Sequence, residues 1–187
     1  MKIRFLVYRA SQERWNIVGH AIALWTAILP CNWGRWKYWY SHVEVWFPDE
    51  DAGFEKCYDG IDLLRPAGEC FSSTTRGDAE GTRFIPANEL LKHPERWDYI
   101  ECECPRPEFM ETVRVWCQAQ EGKPYDFKGL FGFFWPWNID NKNKWYCSEL
   151  CAYTACLLRL LPLYERISPR RLAAKLAKKY HEPKRLG

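Results

Sequence analysis

The feature that most constrains the fold is a cysteine at the point where a polar loop gives way to an apolar run. Residues 138–144 are rich in asparagine and lysine, Cys147 follows shortly after, and an apolar run extends from Leu150 to Leu161. This pattern predicts that Cys147 lies near a helix N-terminus. Unpaired backbone N–H groups and the helix dipole favour a thiolate there, and the same N–H groups can hold an oxyanion. Plain packing is the alternative role for such a cysteine.

A histidine far upstream can serve as the base that a reactive thiol needs. His42 is the lone histidine in a strand-like run, Tyr40–Phe47. Because side chains alternate along a strand, His42 and Glu44 share one face, while Val43 and Val45 share the other. The valine face is predicted to be core and the histidine face to be solvated or functional. A buried structural histidine is the alternative.

Composition favours one globular domain over residues 1–187 with a sizeable core. Aromatic residues make up 17% of the chain, which indicates an aromatic groove as well as a core. The aromatic stretches 33–40 and 131–137 are the candidate walls of that groove, with packed loops as the alternative. Within and near them, the predicted substrate-binding side chains are Trp39, Tyr40 and Tyr146.

The charge and cysteine patterns exclude several classes of protein. A net charge of +3 is too small to indicate nucleic acid, and the basic segment 166–185 fits a solvated helix or contact with an anionic surface. Nine cysteines with no CxxC spacing argue against a disulfide scaffold and for a reducing compartment. No metal or cofactor is predicted, since Cys102 and Cys104 have no second pair at zinc-like spacing. Four cysteines are expected to be buried and unbridged: Cys102, Cys117, Cys151 and Cys156.

No secretory leader or membrane-spanning run is visible in the sequence, so a cytoplasmic location is expected. Periodicity and breakers predict an α+β domain. The predicted strands are 3–8, 41–47, 54–58 and 97–104, and the predicted helices are 11–29, 88–93, 107–120, a helix from Cys147, and 170–180. A turn at 48–53 predicts that strands 41–47 and 54–58 form a hairpin.

Short motifs resemble those of the circularly permuted papain-like amidases and peptidases, the YiiX-type branch of the NlpC-type cell-wall hydrolase superfamily. The pieces that carry the resemblance are Ser41-His42-Val43 and Trp145-Tyr146-Cys147-Ser148-Glu149-Leu150, with Gly122–Phe127 and Ser168-Pro169 in supporting positions. Their order, with histidine before cysteine, is that of a permuted chain. The resemblance spans residues 3 to about 175 and implies a small antiparallel sheet or barrel packed against helices.

The resemblance also implies roles for individual residues. Cys147 is expected to be the nucleophile and His42 the base, while the Cys147 N–H and the Tyr8 hydroxyl hold the oxyanion. The third, polar residue is expected on the strand after the histidine, where Glu55 matches best. Glu44 is the alternative, since it shares the His42 face but lies about 7 Å along the strand. The chain departs from the family at Glu44, where a small residue is usual.

The function expected from this resemblance is a cysteine hydrolase that cleaves an amide or peptide bond, with peptidoglycan as a candidate substrate. Without a leader, a phage protein that is carried in a virion or released by lysis would still reach a cell wall. The alternative that also fits a chain without a visible leader is a cytosolic substrate. Two further interpretations stay open: a lipid acyltransferase or thioesterase similar to lecithin:retinol acyltransferase, and a non-catalytic structural module such as a component of a viral particle.

Overall fold

The computed structural model describes residues 1–10, 39–49, 53–56, 62–75, 80–131 and 143–187. Several predictions concern residues outside these ranges: the helix 11–29, most of the aromatic stretches 33–40 and 131–137, and most of the loop 138–144. Cys31 and Cys57 also lie outside the described residues.

Most of the described strands precede the long helices in the chain. The strands are β1 (Lys2–Arg9), β2 (Tyr40–Phe47), β3 (Gly53–Lys56), β4 (Asp62–Arg65), β5 (Glu69–Thr74), β6 (Gly81–Pro86), β7 (Trp97–Glu103) and β8 (Lys184–Arg185). The helices are α1 (Ala87–Leu90), α2 (Met110–Gln118), α3 (Phe127–Phe131), α4 (Cys147–Leu157) and α5 (Pro169–Lys179). Short 3-10 turns occupy Pro94–Arg96 and Pro107–Phe109. The predicted helix start at Cys147 is confirmed.

Six strands form one antiparallel sheet in the order β6-β5-β2-β1-β7-β8, which confirms the α+β class. Its edges are β6 and β8, so the described strands form an open sheet and not a closed barrel. The centre of the sheet is β2, which pairs with β1 along most of its length. All eight residues of β2 are buried, so this strand belongs to the interior of the protein along its whole length.

The predicted hairpin between strands 41–47 and 54–58 is wrong. The neighbours of β2 are β1 and β5, while β3 pairs with β4 in a separate two-stranded sheet. The physical reason lies in the two faces of β2. A strand that is buried on both faces lies between strands that are themselves buried, and β1 and β5 are buried along most of their length.

Two hydrophobic cores lie on opposite faces of the sheet. The larger core packs α2, α4 and α5 against one face of the sheet and includes Val43 and Val45, as predicted. The smaller core covers the other face and includes Leu6, Trp46 and Trp97. Of the two interpretations of the histidine face, the solvated one is wrong, since His42 and Glu44 are buried, and the functional one stays a prediction.

The cysteines in the described ranges are free thiols, in line with the prediction of unbridged side chains. Cys102, Cys117 and Cys151 are buried as expected. Cys156 is only half-buried, so that part of the prediction is wrong. Its position near the C-terminal end of α4 explains the difference, since the helix begins inside the core and its last residues approach the surface.

Gly81 allows the segment that follows α2 to pack against the sheet. Gly81 opens β6 with a φ of +109°, and a Cβ there would lie 2.6 Å from the Lys123 carbonyl oxygen. That close approach lets the Thr82 N–H donate to Lys123 O at 2.8 Å and the Gly122 N–H donate to Thr82 O at 2.9 Å. A side chain at residue 81 would push this segment away from β6.

The last long helix begins as the sequence predicts. Ser168 caps α5 by accepting a hydrogen bond from the Arg171 N–H at 3.3 Å, and Pro169 occupies the first helical position. Lys178 and Lys179 stand in its last turn, where they complement the helix dipole. None of the described helices has the length and apolar character needed to cross a membrane.

Leu150 on α4 tests the role of this helix as the centre of the main core. The side chain is fully buried, so Leu150→Ala should lower the free energy of unfolding by about 2–5 kcal/mol. Leu163→Ala is the matched control, because Leu163 is 73% exposed and its truncation should cost under about 0.5 kcal/mol. Urea denaturation monitored by tryptophan fluorescence measures both values. Equal losses for the two variants would contradict the placement of α4.

Candidate active site

The residues just before α4 are anchored by backbone hydrogen bonds. The Trp145 carbonyl oxygen accepts from the Ser73 hydroxyl at 2.7 Å and from the Asp126 N–H at 3.0 Å. Tyr146 is extended, with φ −102° and ψ 159°, and its carbonyl accepts the first helical bond from the Leu150 N–H at 3.1 Å. Cys147 is thereby placed at the first position of the helix.

The N-terminus of α4 packs at the point where β2 and β5 cease to pair. Their ladder ends at Val45, which pairs with Phe71. Beyond it, the Val43 carbonyl oxygen accepts from the Ser72 hydroxyl at 2.7 Å and from the Cys151 thiol at 3.5 Å. The Val43 N–H donates to Cys147 and helps to stabilise its thiolate form. Helix α4 thus takes over polar backbone groups that a neighbouring strand would otherwise satisfy.

Cys147 and His42 interact at the start of α4, since each is a main cause of the shift in the pKa of the other. Burial alone would raise the pKa of the Cys147 thiol, but the His42 imidazolium and the N–H groups of Val43 and Ser148 lower it overall. Burial alone would lower the pKa of His42, but Cys147 and Glu44 raise it overall. The two directions together favour a thiolate–imidazolium ion pair.

Glu44 is the carboxylate that the structure brings to the histidine. Its Oε1 lies 3.0 Å from His42 Nε2. Glu44 is fully buried. Burial raises the pKa of its carboxyl group, but Arg83 and His42 outweigh this effect and lower it overall. A carboxylate here fixes the ring orientation and stabilises the protonated imidazole.

Glu55, the carboxylate favoured by the resemblance, lies in β3. Its backbone pairs with Leu63 of β4, and neither of these strands belongs to the main sheet. The expected adjacency of its strand to His42 is therefore wrong. The strand-rise estimate of about 7 Å between residues two apart made Glu44 look distant. The two side chains are long enough to bridge this separation.

Tyr8 lies directly beside the histidine, while Tyr40 is engaged elsewhere. Tyr8 pairs with His42 in the β1–β2 ladder, next to an irregularity between Tyr8 and Arg9. Its ring meets Trp97 edge-on at 5.0 Å between centroids. The Tyr40 hydroxyl donates to Asp98 Oδ2 at 2.7 Å and the side chain is buried.

The remaining predicted substrate-binding residues are Trp39 and Tyr146. Trp39 is half-buried, and its carbonyl oxygen accepts from the Ala10 N–H at 3.2 Å. Tyr146 is fully buried, which raises the pKa of its hydroxyl. Tyr146 is thus placed as part of the interior beneath the start of α4, and Trp39 is the more accessible of the two.

A cavity of about 150 Å³ adjoins the histidine on the face of the sheet opposite α4. Its wall combines aromatic, basic and hydroxyl groups from several elements. The lining residues are Tyr8, His42, Glu44, Thr74, Arg83, Leu90, His93, Arg96 and Trp97. The cavity gives a small polar group a path to the His42–Glu44 pair.

A second buried acidic group supports the first turn of α4, and the sequence analysis did not identify it. Glu149 Oε1 accepts from the Tyr164 hydroxyl at 2.7 Å and from Arg166 Nε at 3.1 Å. Burial raises the pKa of Glu149, although both partners oppose this. Arg166 also approaches Asp126 at 3.8 Å, so it links the segment before α4 to the helix. An acidic residue in a first helical turn is the sequence signal for this contact.

No protein-family model matches this chain, and neither does any curated protein or any solved structure. Within the part of the chain that the structure describes, no three His, Cys, Asp or Glu side chains gather as a metal site would require. The geometry around Cys147 is therefore the basis for assigning a function.

The contact with His42 predicts that Cys147 reacts as a thiolate at pH values below about 8.5, the ordinary pKa of a thiol. Its alkylation by iodoacetamide should persist at pH 6–7, where Cys102 and Cys117 stay protonated because burial raises the pKa of each to about 12. His42→Ala removes the imidazolium, so the pKa of Cys147 should rise and its labelling at pH 6 should fall at least about tenfold.

Peptide mass spectrometry measures the labelling at each cysteine, and Cys147→Ala identifies the Cys147 signal. The same pH profile for wild type and His42→Ala would show that the two side chains do not form the ion pair.

Proposed function

We propose that this chain is a cysteine hydrolase with a circularly permuted papain-like arrangement, and that it cleaves an amide or peptide bond. The observation that supports this most is the contact of the Cys147 thiol, at a helix N-terminus, with His42, which in turn contacts a buried carboxylate. Nucleophile, base and orienting group are the three parts that acyl transfer needs. The order of His42 before Cys147 in the chain fits the permuted arrangement.

In the proposed reaction, His42 takes the thiol proton and the Cys147 thiolate attacks the substrate carbonyl carbon. The carbonyl oxygen becomes an oxyanion that the Cys147 N–H holds at the start of α4, with the Tyr8 hydroxyl as the second donor. The imidazolium then gives its proton to the leaving nitrogen as the carbon–nitrogen bond breaks. An acyl-thioester on Cys147 remains.

Hydrolysis of the acyl-thioester completes the cycle. His42 accepts a proton from a water molecule, whose oxygen attacks the thioester carbonyl, and the carbon–sulfur bond breaks. His42 returns the proton to the departing thiolate, which restores Cys147. The product is a free carboxylic acid, and Glu44 keeps the imidazole in one orientation through both halves.

Among amide substrates, we propose the peptides of peptidoglycan, which are the substrates implied by the resemblance to the NlpC-type hydrolases. The test is digestion of purified peptidoglycan and of a peptide mixture, with released amines and fragments identified by mass spectrometry. Wild type should release fragments with new carboxyl termini, and Cys147→Ala should release none. A panel of lipid esters run in parallel tests acyl transfer: turnover of esters alone would replace the hydrolase proposal.

Two matched glutamate variants test which carboxylate orients the base. Glu44→Gln should slow alkylation of Cys147 at pH 6 by at least about tenfold and turnover by roughly two orders of magnitude, because the imidazolium loses its counter-charge. Glu55→Gln should leave both rates within about twofold of wild type, since its strand is not paired with β2. The reverse ranking, with both variants folded by circular dichroism, would assign the role to Glu55.

A further inference from the structure

We propose that Arg83 is a positioning residue for this reaction, acting through Glu44 to keep the imidazole of His42 oriented and charged beside Cys147. The inference rests on the proposed function for its catalytic meaning. Its physical basis is a two-point contact between a guanidinium and a carboxylate that is completely enclosed. Arg83 lies on an edge strand, far from both Glu44 and Cys147 in the chain.

The contact crosses a strand of the sheet. Arg83 on β6 pairs with Ser72 on β5, and its side chain reaches past this small residue to β2. Its Nη2 lies 2.9 Å from Glu44 Oε1, and its Nη1 lies 3.4 Å from Oε2. Glu44 Oε1 also contacts His42 Nε2 at 3.0 Å. Because both carboxylate oxygens are held, the one facing His42 cannot rotate away without breaking both contacts.

Burial makes the arginine necessary. Glu44 has no exposed surface, whereas the Arg83 side chain keeps 16% of its own. A carboxylate buried without a cation takes up a proton, and a neutral Glu44 would no longer stabilise an imidazolium. Among the effects that oppose burial and lower the pKa of Glu44, the charge of Arg83 is the largest. Arg83 therefore keeps Glu44 ionised even when His42 is neutral.

The charges of the four groups also balance. With a thiol and a neutral imidazole, Glu44 and Arg83 cancel; with a thiolate and an imidazolium, two anions face two cations. Removal of Arg83 leaves a net charge of −1 in both arrangements. Glu44 relieves this excess negative charge by taking up a proton, and a neutral Glu44 no longer stabilises the imidazolium, so the Cys147 thiol should ionise only at a higher pH.

Other titratable groups face this cluster from each neighbouring element. They are Tyr8 on β1, Cys70 on β5, Cys151 on α4, and His93 and Arg96 across the cavity. Arg96 is the second arginine at the cavity, and its Nε lies 3.8 Å from Glu95. Within the described ranges, Glu44 forms ion pairs with His42 and Arg83.

The experiment measures the rate of Cys147 alkylation by iodoacetamide from pH 5 to 9 in the full chain. The acid limb of this profile is the pH range in which the rate rises as the thiol ionises. Arg83→Gln should move the acid limb to higher pH by about one unit, which is roughly a tenfold loss of rate at pH 6. Arg83→Lys should recover about half of the shift, because it keeps the charge but not the two-point contact. Arg114→Gln is the matched control, since Arg114 pairs with Glu69 away from Cys147 and its loss changes the net charge equally.

An acid limb within about 0.2 pH units of wild type in folded Arg83→Gln would overturn the inference. A structural role alone would lower the melting temperature without moving the limb. If Arg83→Gln does not fold, Arg83→Met replaces it, because methionine keeps an unbranched apolar stem while it removes the charge and the hydrogen-bond donors. Failure of the proposed function gives a different result: wild-type Cys147 itself would show no ionisation below the ordinary range of a thiol.

Discussion

A buried carboxylate is the constraint on which the rest of this structure depends. Glu44 is fully enclosed at the centre of the sheet, where an ion without partners would destabilise the fold by several kcal/mol. Arg83 at 2.9 Å and His42 at 3.0 Å offset that cost. Such a triad is a poor way to gain stability, since apolar residues of similar size often serve as well or better. Its retention at the sheet centre is better explained by what it does to His42.

The placement of Cys147 depends on a second feature, the separation of β2 from β5. Where β2 and β5 separate beyond Val45, the backbone of Val43 has no strand partner on that side, and α4 approaches with its first turn. The Val43 carbonyl receives Ser72 and Cys151, and its N–H faces Cys147. The same separation thus satisfies the backbone and brings the thiol within reach of the histidine. Anchoring of Trp145 from β5 keeps the helix start in this position.

The sequence predicted the parts of this site that local patterns encode. A loop before an apolar run indicates a helix start, so Cys147 was placed correctly, and alternation along Tyr40–Phe47 correctly put His42 and Glu44 on one face. The partner strands of β2 are set by long-range pairing, which a turn at 48–53 does not determine. That is why the hairpin and the adjacency of Glu55 were wrong. Arg83 carries no local signal, since its partner Glu44 lies two strands away in the sheet.

One strand carries both the base and its orienting carboxylate, and this simplifies the problem of keeping them together. His42 and Glu44 are two residues apart, so their separation does not depend on the register between strands. A slip of β2 by one residue would turn both side chains to the other face at once and bring Val43 and Val45 out of the main core. The apolar packing that sets the register of β2 therefore also protects the pair. Only Arg83 and Cys147 come from other elements, and each is held by contacts to β2 itself.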